Sequence, residues 1–322
     1  MREDLLKEVY QELQETQIRN EETERSRRRQ IRDGYPEIRA LMDQREELIR
    51  ENVRGVLAGQ AAPEDLPDRM EAISAEIRAK LRENGFPENY LAPVYSCPLC
   101  RDTGYVGDRV REKCDCVLKR YQARLRRSIG LPENGGETFE TFDSGVFPDV
   151  RAGDSKYTQR EAMELIRKTC EQWADDYPRQ ASRDLILSGK SGLGKTFLLH
   201  AMANRLIERG VQVLLLSAYS FLEIARKSYF EEDGRLEELT GTEVLMLDDL
   251  GSEPMMQNIT IEQLYNLVNE RQRRNLPTVI STNLSQDELK NRYTERIASR
   301  LTDRRACLFL PISGRDIRNG RM

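Results

Sequence analysis

Eight residues constrain this chain more than any others: Gly189-Lys190-Ser191-Gly192-Leu193-Gly194-Lys195-Thr196, a loop of the G-x-x-x-x-G-K-T type. Residues 184–188 before it form a short apolar run that reads as a buried strand, and residues 197–206 after it read as a helix. Strand, loop and helix in that order are the context such a loop needs. Its glycines let the backbone curl until several N–H groups point at phosphate oxygens, and the helix N-terminus adds its dipole. In that arrangement Lys195 reaches the β- and γ-phosphates of a bound nucleotide, and the Thr196 hydroxyl ligates Mg²⁺.

The residues that follow supply the rest of a nucleotide site. Residues 211–217 read as a second strand and 219–229 as a helix. Val244-Leu245-Met246-Leu247-Asp248-Asp249-Leu250-Gly251 is a third core strand, four apolar residues ending in two carboxylates, which is a Walker B pattern. Asp248 is expected to hold the Mg²⁺ shell, and Asp249 to orient or deprotonate the attacking water. An amphipathic helix over 261–274 leads to a fourth strand that ends in Ser281-Thr282-Asn283. Asn283 at that edge is placed to reach the γ-phosphate and the lytic water. Residues 292–301 read as one helix in which Arg296 and Arg300 share a face at i, i+4. Surface arginines usually serve solubility; this pair, late in such a domain, also suits an arginine finger offered to a neighbouring subunit. A last strand over 307–310 precedes a basic tail with Arg315, Arg318 and Arg321.

The N-terminal part has a different character. Residues 1 to about 56 are rich in Glu, Arg, Gln and Leu, with Leu5, Val9, Leu13 and Ile18 as sparse apolar points. The basic run Arg25, Arg27, Arg28, Arg29 and Arg32 reads first as a solvated helical face, and alternatively as a partner-docking arm. Pro36 begins a second helix through Leu41, Leu48, Ile49 and Val53, residues 55–67 form a turn or linker, and a third helix carries Met70, Ile73, Ile77 and Leu81. It stops at Asn84-Gly85, a left-handed cap signal. Narrow apolar stripes on charged helices suit packing against one another or against another protein.

Cys97-Pro98-Leu99-Cys100 and Cys114-Asp115-Cys116 then bracket thirteen residues, among which 102–107 read as a short hairpin strand with its turns. Two thiolates on one tight turn converge on one metal, so Cys97, Cys100, Cys114 and Cys116 suggest a closed tetrahedral zinc site of structural type. An iron–sulfur cluster is the other metal reading, and free thiols or a redox pair the non-metal one; redox chemistry needs one C-x-x-C rather than two clustered pairs. Cys170 and Cys307 lie in apolar surroundings and read as buried fillers. Residues 117–129 are helical and basic (Lys119, Arg120, Arg124, Arg126, Arg127), and Pro132-Glu133-Asn134-Gly135-Gly136 breaks the chain. Phe139 and Phe142 follow, placed to pack near a nucleotide base, and 158–176 reads as a helix.

Composition excludes several classes. The formal net charge of −4 over 322 residues rules out a polyanion binder as a whole, so any nucleic-acid surface is a local patch. No run of about 18 apolar residues is present for a membrane span, and the N-terminus lacks the apolar core of a signal peptide. The expected location is the cytoplasm, where six cysteines are thiols or metal ligands rather than disulfides. The single histidine, His200, sits in the helix after the phosphate loop and reads as a packing residue, which leaves little room for Ser-His or Cys-His chemistry.

Taken together, residues 189–196, Leu247-Asp248-Asp249-Leu250-Gly251-Ser252-Glu253-Pro254, Leu264-Tyr265-Asn266-Leu267-Val268-Asn269-Glu270-Arg271, Ser281-Thr282-Asn283-Leu284 and Glu295-Arg296-Ile297-Ala298-Ser299-Arg300-Leu301 resemble the AAA+ ATPases of the DnaC/DnaI helicase-loader and IstB transposition-helper group. The resemblance covers about residues 138–318. The stretch from Asn84-Gly85-Phe86-Pro87 through the cysteines is similar to the zinc-bearing N-terminal region of DnaI-type loaders. The implied architecture is an α/β AAA+ P-loop domain, a parallel sheet with flanking helices, preceded by a helical arm and a small zinc module. Its implied segments are 1–92 (helical, partner-binding), 93–118 (four-cysteine zinc module), 119–137 (basic helix and linker) and 138–322 (ATPase). The chain stops soon after the last strand, without room for a helical lid domain, which also resembles the loaders.

The resemblance further implies a bacterial or phage ATPase, using ATP and Mg²⁺, that loads the hexameric replicative DNA helicase onto single-stranded DNA. Its N-terminal part would grip the helicase, and its AAA+ domain would self-assemble and contact DNA. By position Asn283 is similar to sensor 1, Arg300 to the arginine finger, Arg296 to its box VII companion and Arg318 to sensor 2. Most AAA+ motors carry Asp-Glu at Walker B, and the shorter Asp249 suits a slow switch better than a fast motor. The alternatives are an IstB-like helper of DNA transposition on double-stranded DNA, and a non-enzymatic adaptor with a degenerate site. Intact Lys195, Thr196, Asp248 and Asn283 argue against the adaptor; the cysteine module and helical arm favour the loader. Residues 119–127 and 315–321, and Arg226-Lys227 with Tyr229 and Phe230, are the expected nucleic-acid contacts.

Overall fold

The computed structural model describes residues 3–318 except 60, 62, 108–109, 133–135, 152–155, 231–234 and 257–258, and leaves out the side chains of Tyr229, Phe230 and Arg235. Residues 133–135 of the expected linker, the Tyr229 and Phe230 rings and Arg321 therefore lie outside the described residues. The chain divides into two compact units, residues 7–117 and a second from Leu118 onward that also takes in the chain start up to Leu6. No described helix is long and apolar enough to cross a membrane.

The first unit is built on α1 (Glu3–Gly34), α2 (Pro36–Leu57) and α3 (Leu66–Glu83). Pro36 opens α2, where its fixed φ suits the helix and its missing N–H is no loss. Ile73, Ile77 and Leu81 recur at four-residue spacing on α3 and pack with Ile31 and Ile38 into a small core. Burying each such side chain contributes about 1.5–3 kcal/mol. At the end of α3 the Phe86 N–H reaches Leu81 O at 2.9 Å and the Gly85 N–H reaches Arg82 O at 3.0 Å. This is a Schellman cap, with Gly85 at φ +80, and it turns Phe86 into the same core, edge-on to Tyr35. Of the expected apolar points, Val9, Leu13 and Leu48 are buried, whereas Ile18, Ile49 and Val53 are exposed. A hairpin, β1 (Tyr105–Val106) against β2 (Glu112–Lys113), separates the two cysteine pairs. The second pair ends at Cys116, in the first turn of α4 (Asp115–Ser128).

The second unit alternates strands and helices: α5 (Gln159–Asp176), β3 (Asp184–Ser188), α6 (Lys195–Glu208), β4 (Val213–Ser217), α7 (Ala218–Phe230), α8 (Arg235–Gly241), β5 (Val244–Leu250), α9 (Thr260–Arg273), β6 (Thr278–Thr282), α10 (Gln286–Tyr293), α11 (Glu295–Leu301) and β7 (Cys307–Pro311). The five strands β3–β7 are parallel and ordered β4-β5-β6-β3-β7. A parallel sheet covered on both faces needs near-continuous apolar strands. Every residue of β3 and β6 is buried accordingly. The chain leaves β3 for a strand two places beyond its neighbour, so the carboxyl ends of β3, β6 and β5 lie side by side. That is where ligands bind in open α/β sheets.

Two expectations change. Residues 292–301 are not one helix: the chain breaks at Thr294, φ +78, between α10 and α11. The fully buried Tyr293 hydroxyl is bonded to Glu253, which holds the corner there. Arg126, expected to face phosphate, is buried; its Nε donates to Asn204 Oδ1 at 2.9 Å and an Nη lies 3.2 Å from Glu208, tying α4 to α6. Arg271 on the amphipathic α9 is fully buried.

Arg271 donates to Thr278 Oγ1 (3.1 Å) and to the carbonyls of Leu239 (2.8 Å), Thr242 (2.9 Å) and Pro277 (2.5 Å). Burial draws its pKa down to about 10, which still leaves it charged near neutrality. Replacing it strands three buried carbonyls. Arg271→Met is expected to lower the unfolding free energy by about 3–5 kcal/mol in urea titrations; a change under about 1 kcal/mol would show that water reaches those carbonyls.

Candidate nucleotide-binding site and metal centre

The loop between β3 and α6 gathers the first part of the site. Gly194 caps α6 at φ +81, a left-handed value that only glycine adopts without strain. Gly192, φ +76, has no room for a side chain, since a Cβ would sit 1.8 Å from Asp316 Oδ1. Lys195 is only 6% exposed. It donates to Gly189 O at 2.6 Å, Lys190 O at 2.8 Å and Asn283 Oδ1 at 2.7 Å. Burial pulls its pKa below the ordinary lysine value; the carboxylates of Asp249 and Asp248 act the other way, and Arg318 adds to the lowering. Thr196 Oγ1 lies 3.1 Å from Asp248 Oδ2.

Two consecutive strand residues ordinarily point to opposite faces. Here the ladder between β5 and β6 slips between Leu247 and Leu250, and Asp249 takes a left-handed φ of +58. Both carboxylates thereby line one cavity. Ser281 secures the irregularity from β6: its Oγ donates to Asp248 Oδ1 and accepts the Asp249 N–H at 2.8 Å. Asn283, two residues on and just past the end of β6, uses both ends of its amide, Oδ1 on Lys195 and Nδ2 on Asp249 Oδ1 at 2.7 Å.

The cavity, about 490 Å³, brings together Ser191, Gly192, Leu193, Gly194, Lys195, Thr196, Asp248, Asp249, Asn283 and Arg318. Gly189 and Lys190 stand behind it and serve through their carbonyls. Arg318 reaches Ser191 Oγ at 3.2 Å. Arg296 and Arg300 are not brought to this cavity: they lie over the Tyr265 ring of α9, 4.3 and 4.8 Å from its centroid, and Arg300 also donates to the Tyr265 hydroxyl at 3.1 Å. Within one chain, therefore, Arg296 is not a nucleotide contact. Neither expected aromatic lines the cavity. Phe139 is buried under Arg205, and Phe142 packs edge-on against Phe197, which does line it.

Glu137, Phe197, Ser281 and Ile317 complete the lining. Ser281 was visible inside Ser281-Thr282-Asn283; nothing in the local sequence marks Glu137. His200 does more than pack, since its Nδ1 is bonded to the Glu137 carboxylate.

In the first unit the four cysteine sulfurs lie within 4.8 Å of one another. Cys97 and Cys114 are 3.8 Å apart, and Cys100 and Cys116 3.5 Å. Four thiolates about 2.3 Å from one zinc would be separated by about 3.8 Å, so the set is compatible with zinc. A polynuclear iron–sulfur cluster needs its sulfurs farther apart. The Cys100 backbone N–H is the main influence drawing the Cys97 thiol down to about 7, while burial pushes Cys100 and Cys116 up. A divalent cation offsets that burial cost. Asp102, unmarked in the sequence, is buried at φ +62 and accepts the N–H groups of Ser96 (2.9 Å) and Cys97 (2.7 Å) and Asn20 Nδ2 (2.9 Å). It fixes the turn that aims the first two sulfurs.

A parallel β4-β5-β6-β3-β7 sheet with a phosphate loop, paired acids and an asparagine at adjacent strand ends defines a P-loop nucleotide-binding protein of AAA+ type. Residues 154–320 match the family described as IstB-like ATP binding protein. The chain belongs to that family. It is 35% identical over 140 residues to the replicative helicase loader DnaI of Bacillus subtilis (strain 168), covering 40% of this chain and 45% of that one. It is 27% identical over 168 residues to the replicative helicase loader DnaC of Escherichia coli (strain K12), covering 47% and 66%. The chain thus spans between about half and two-thirds of the length of these relatives. A crystal structure of the DnaC helicase loader aligns with a TM-score of 0.46 at 19% identity, over 55% of this chain and 97% of that one.

Lys195→Ala removes the ammonium at the centre of the cavity. Binding of a fluorescent ATP analogue is expected to weaken by about a hundredfold, the loss typical of a buried charge-assisted contact; unchanged binding would place the nucleotide elsewhere.

Proposed function

We propose that this protein is an ATP-dependent loader of the hexameric replicative DNA helicase onto single-stranded DNA, in which ATP binding and slow hydrolysis act as an assembly switch. The observation that carries the reading is the single cavity shared by the phosphate loop, Asp248, Asp249, Asn283 and Arg318. The names of the relatives, replicative helicase loaders in two organisms, support the choice of partner.

In this reading the backbone of 189–196 cradles the phosphates and Lys195 neutralises the β- and γ-phosphates. Thr196 and Asp248, already in contact, hold Mg²⁺, which supplies charge neutralisation on the phosphate oxygens. Asp249 orients the attacking water, and Asn283, bonded to both Asp249 and Lys195, senses the γ-phosphate. Arg318 acts from the same chain as sensor 2. Arg300, held on α11 away from its own cavity, completes the site of a neighbouring subunit, with Arg296 beside it on Tyr265. The helical region 1–92 binds the helicase, residues 93–118 hold zinc, 119–137 serve as a basic link and 138–322 form the ATPase domain. Work on chromosomal or mobile DNA takes place in the cytoplasm.

One alternative fits the match to the IstB-like family as well, an IstB-like helper of DNA transposition. Affinity capture with the full chain separates the two. The loader is expected to retain the host's replicative helicase and to bind single-stranded DNA more tightly with ATP than with ADP. Retention of a transposase instead, or nucleotide-independent binding to single-stranded DNA, overturns it. Protein purified without chelator is expected to carry about one zinc per chain, lost in Cys100→Ser; metal-free, folded protein contradicts the zinc assignment.

A further inference from the structure

Glu253 occupies a junction that the nucleotide cavity does not use. It is almost fully buried, and its carboxylate joins two elements. Oε2 accepts the Gly251 N–H at 2.8 Å, in the turn just beyond Asp249. Oε1 accepts the hydroxyl of the fully buried Tyr293 and lies 3.7 Å from Arg292 Nη2, which also donates to the Glu253 carbonyl. Tyr293 is the last residue of α10; Thr294, at φ +78, turns the corner, and α11 begins with Glu295. Arg296 and Arg300 follow on α11.

A buried carboxylate is tolerated only when paired and hydrogen-bonded. This one meets that condition only while the turn after Asp249 and the corner before α11 both keep their places. The same turn is tied to β6 by Thr282 Oγ1, which donates to Leu250 O at 2.6 Å. The next residue, Asn283, bonds Lys195 and Asp249. Hydrogen bonds joined by single steps of backbone, Asn283 to Thr282 and Leu250 to Gly251, therefore run from the phosphate-loop lysine to the base of the arginine helix.

We propose that Glu253 is a positioning residue: through Tyr293 and Arg292 it links the turn after Asp249 to the orientation of α11, so that the state of a subunit's own nucleotide site sets how its Arg300 is presented to the next subunit. This rests on the proposed role of Arg300 as a finger acting on a neighbour. It adds the device that makes each finger report on the site behind it.

Complementation between two full-length variants tests both steps separately. Asp249→Asn lacks the water-orienting carboxylate but keeps Arg300 to offer; Arg300→Ala keeps its own site but offers no finger. Each alone is expected to be nearly inactive, and mixing them is expected to restore ATP turnover. Tyr293→Phe is then added to one chain or the other. In the finger-giving chain it is expected to cut the restored turnover about tenfold or more, and in the receiving chain to leave it within about twofold, since a misplaced catalytic group is costly and an untouched one is not. Arg292→Gln, which spares the Tyr293 hydroxyl, is expected to give the same asymmetry, and fluorescent-nucleotide binding checks that every chain is folded. No restoration in the parent mixture overturns the finger itself and this inference with it. Restoration followed by equal effects of Tyr293→Phe in both chains, whether none or large, leaves the finger standing and overturns the coupling.

Discussion

The Lys195 ammonium sets the terms for the ATPase-like unit. A buried cation without partners is prohibitively costly, and its three acceptors come from two strands' ends: the carbonyls of Gly189 and Lys190 after β3, and the Asn283 amide after β6. Those acceptors converge only if β3 and β6 are neighbours in the observed register, with Ser188 opposite Thr282. The sheet order is thus a condition of the lysine's burial as well as of the apolar core. From Asn283 the same set of bonds extends to Asp249. Asn283 thus joins the phosphate-loop lysine directly to the second acid.

The N-terminal unit is stabilised differently. One apolar cluster there is small, centred on Ile31, Ile38, Ile73, Ile77 and Leu81, and among the described residues the hairpin between the cysteine pairs joins two residues a side. A segment of that size has little core of its own, and a metal is one of the standard remedies. Asp102 is consistent with that economy. Buried and left-handed, it spends its carboxylate on backbone N–H groups so that the first cysteine turn holds its shape.

Much of this was legible in the residues. The phosphate loop, the acid pair and Ser281-Thr282-Asn283 each carry a local pattern tied to one chemistry, and the strand and helix flanking each pattern follow from apolar runs and caps. Features that depend on contacts between distant segments were not legible. The slip in the β5–β6 ladder that turns Asp249 into the cavity is enforced by Ser281 from another strand. The break at Thr294 is held by Glu253, some forty residues earlier. Arg126 and Arg271 look like solvated charges in sequence, and only packing against Asn204, or against three carbonyls, reveals them as buried ties. The aromatic pair Phe139 and Phe142 does not line the cavity; Phe142 packs against Phe197, which does.

In the proposed switch one chain holds an incomplete site, with Arg300 turned away from its own cavity and nucleotide state controlling assembly. Sedimentation velocity of the full-length protein with a non-hydrolysable ATP analogue and with ADP tests this most directly. Concentration-dependent growth to larger assemblies is expected with the ATP analogue, and mainly smaller species with ADP. Identical sedimentation in the two nucleotides, across a wide range of protein concentration, would contradict it.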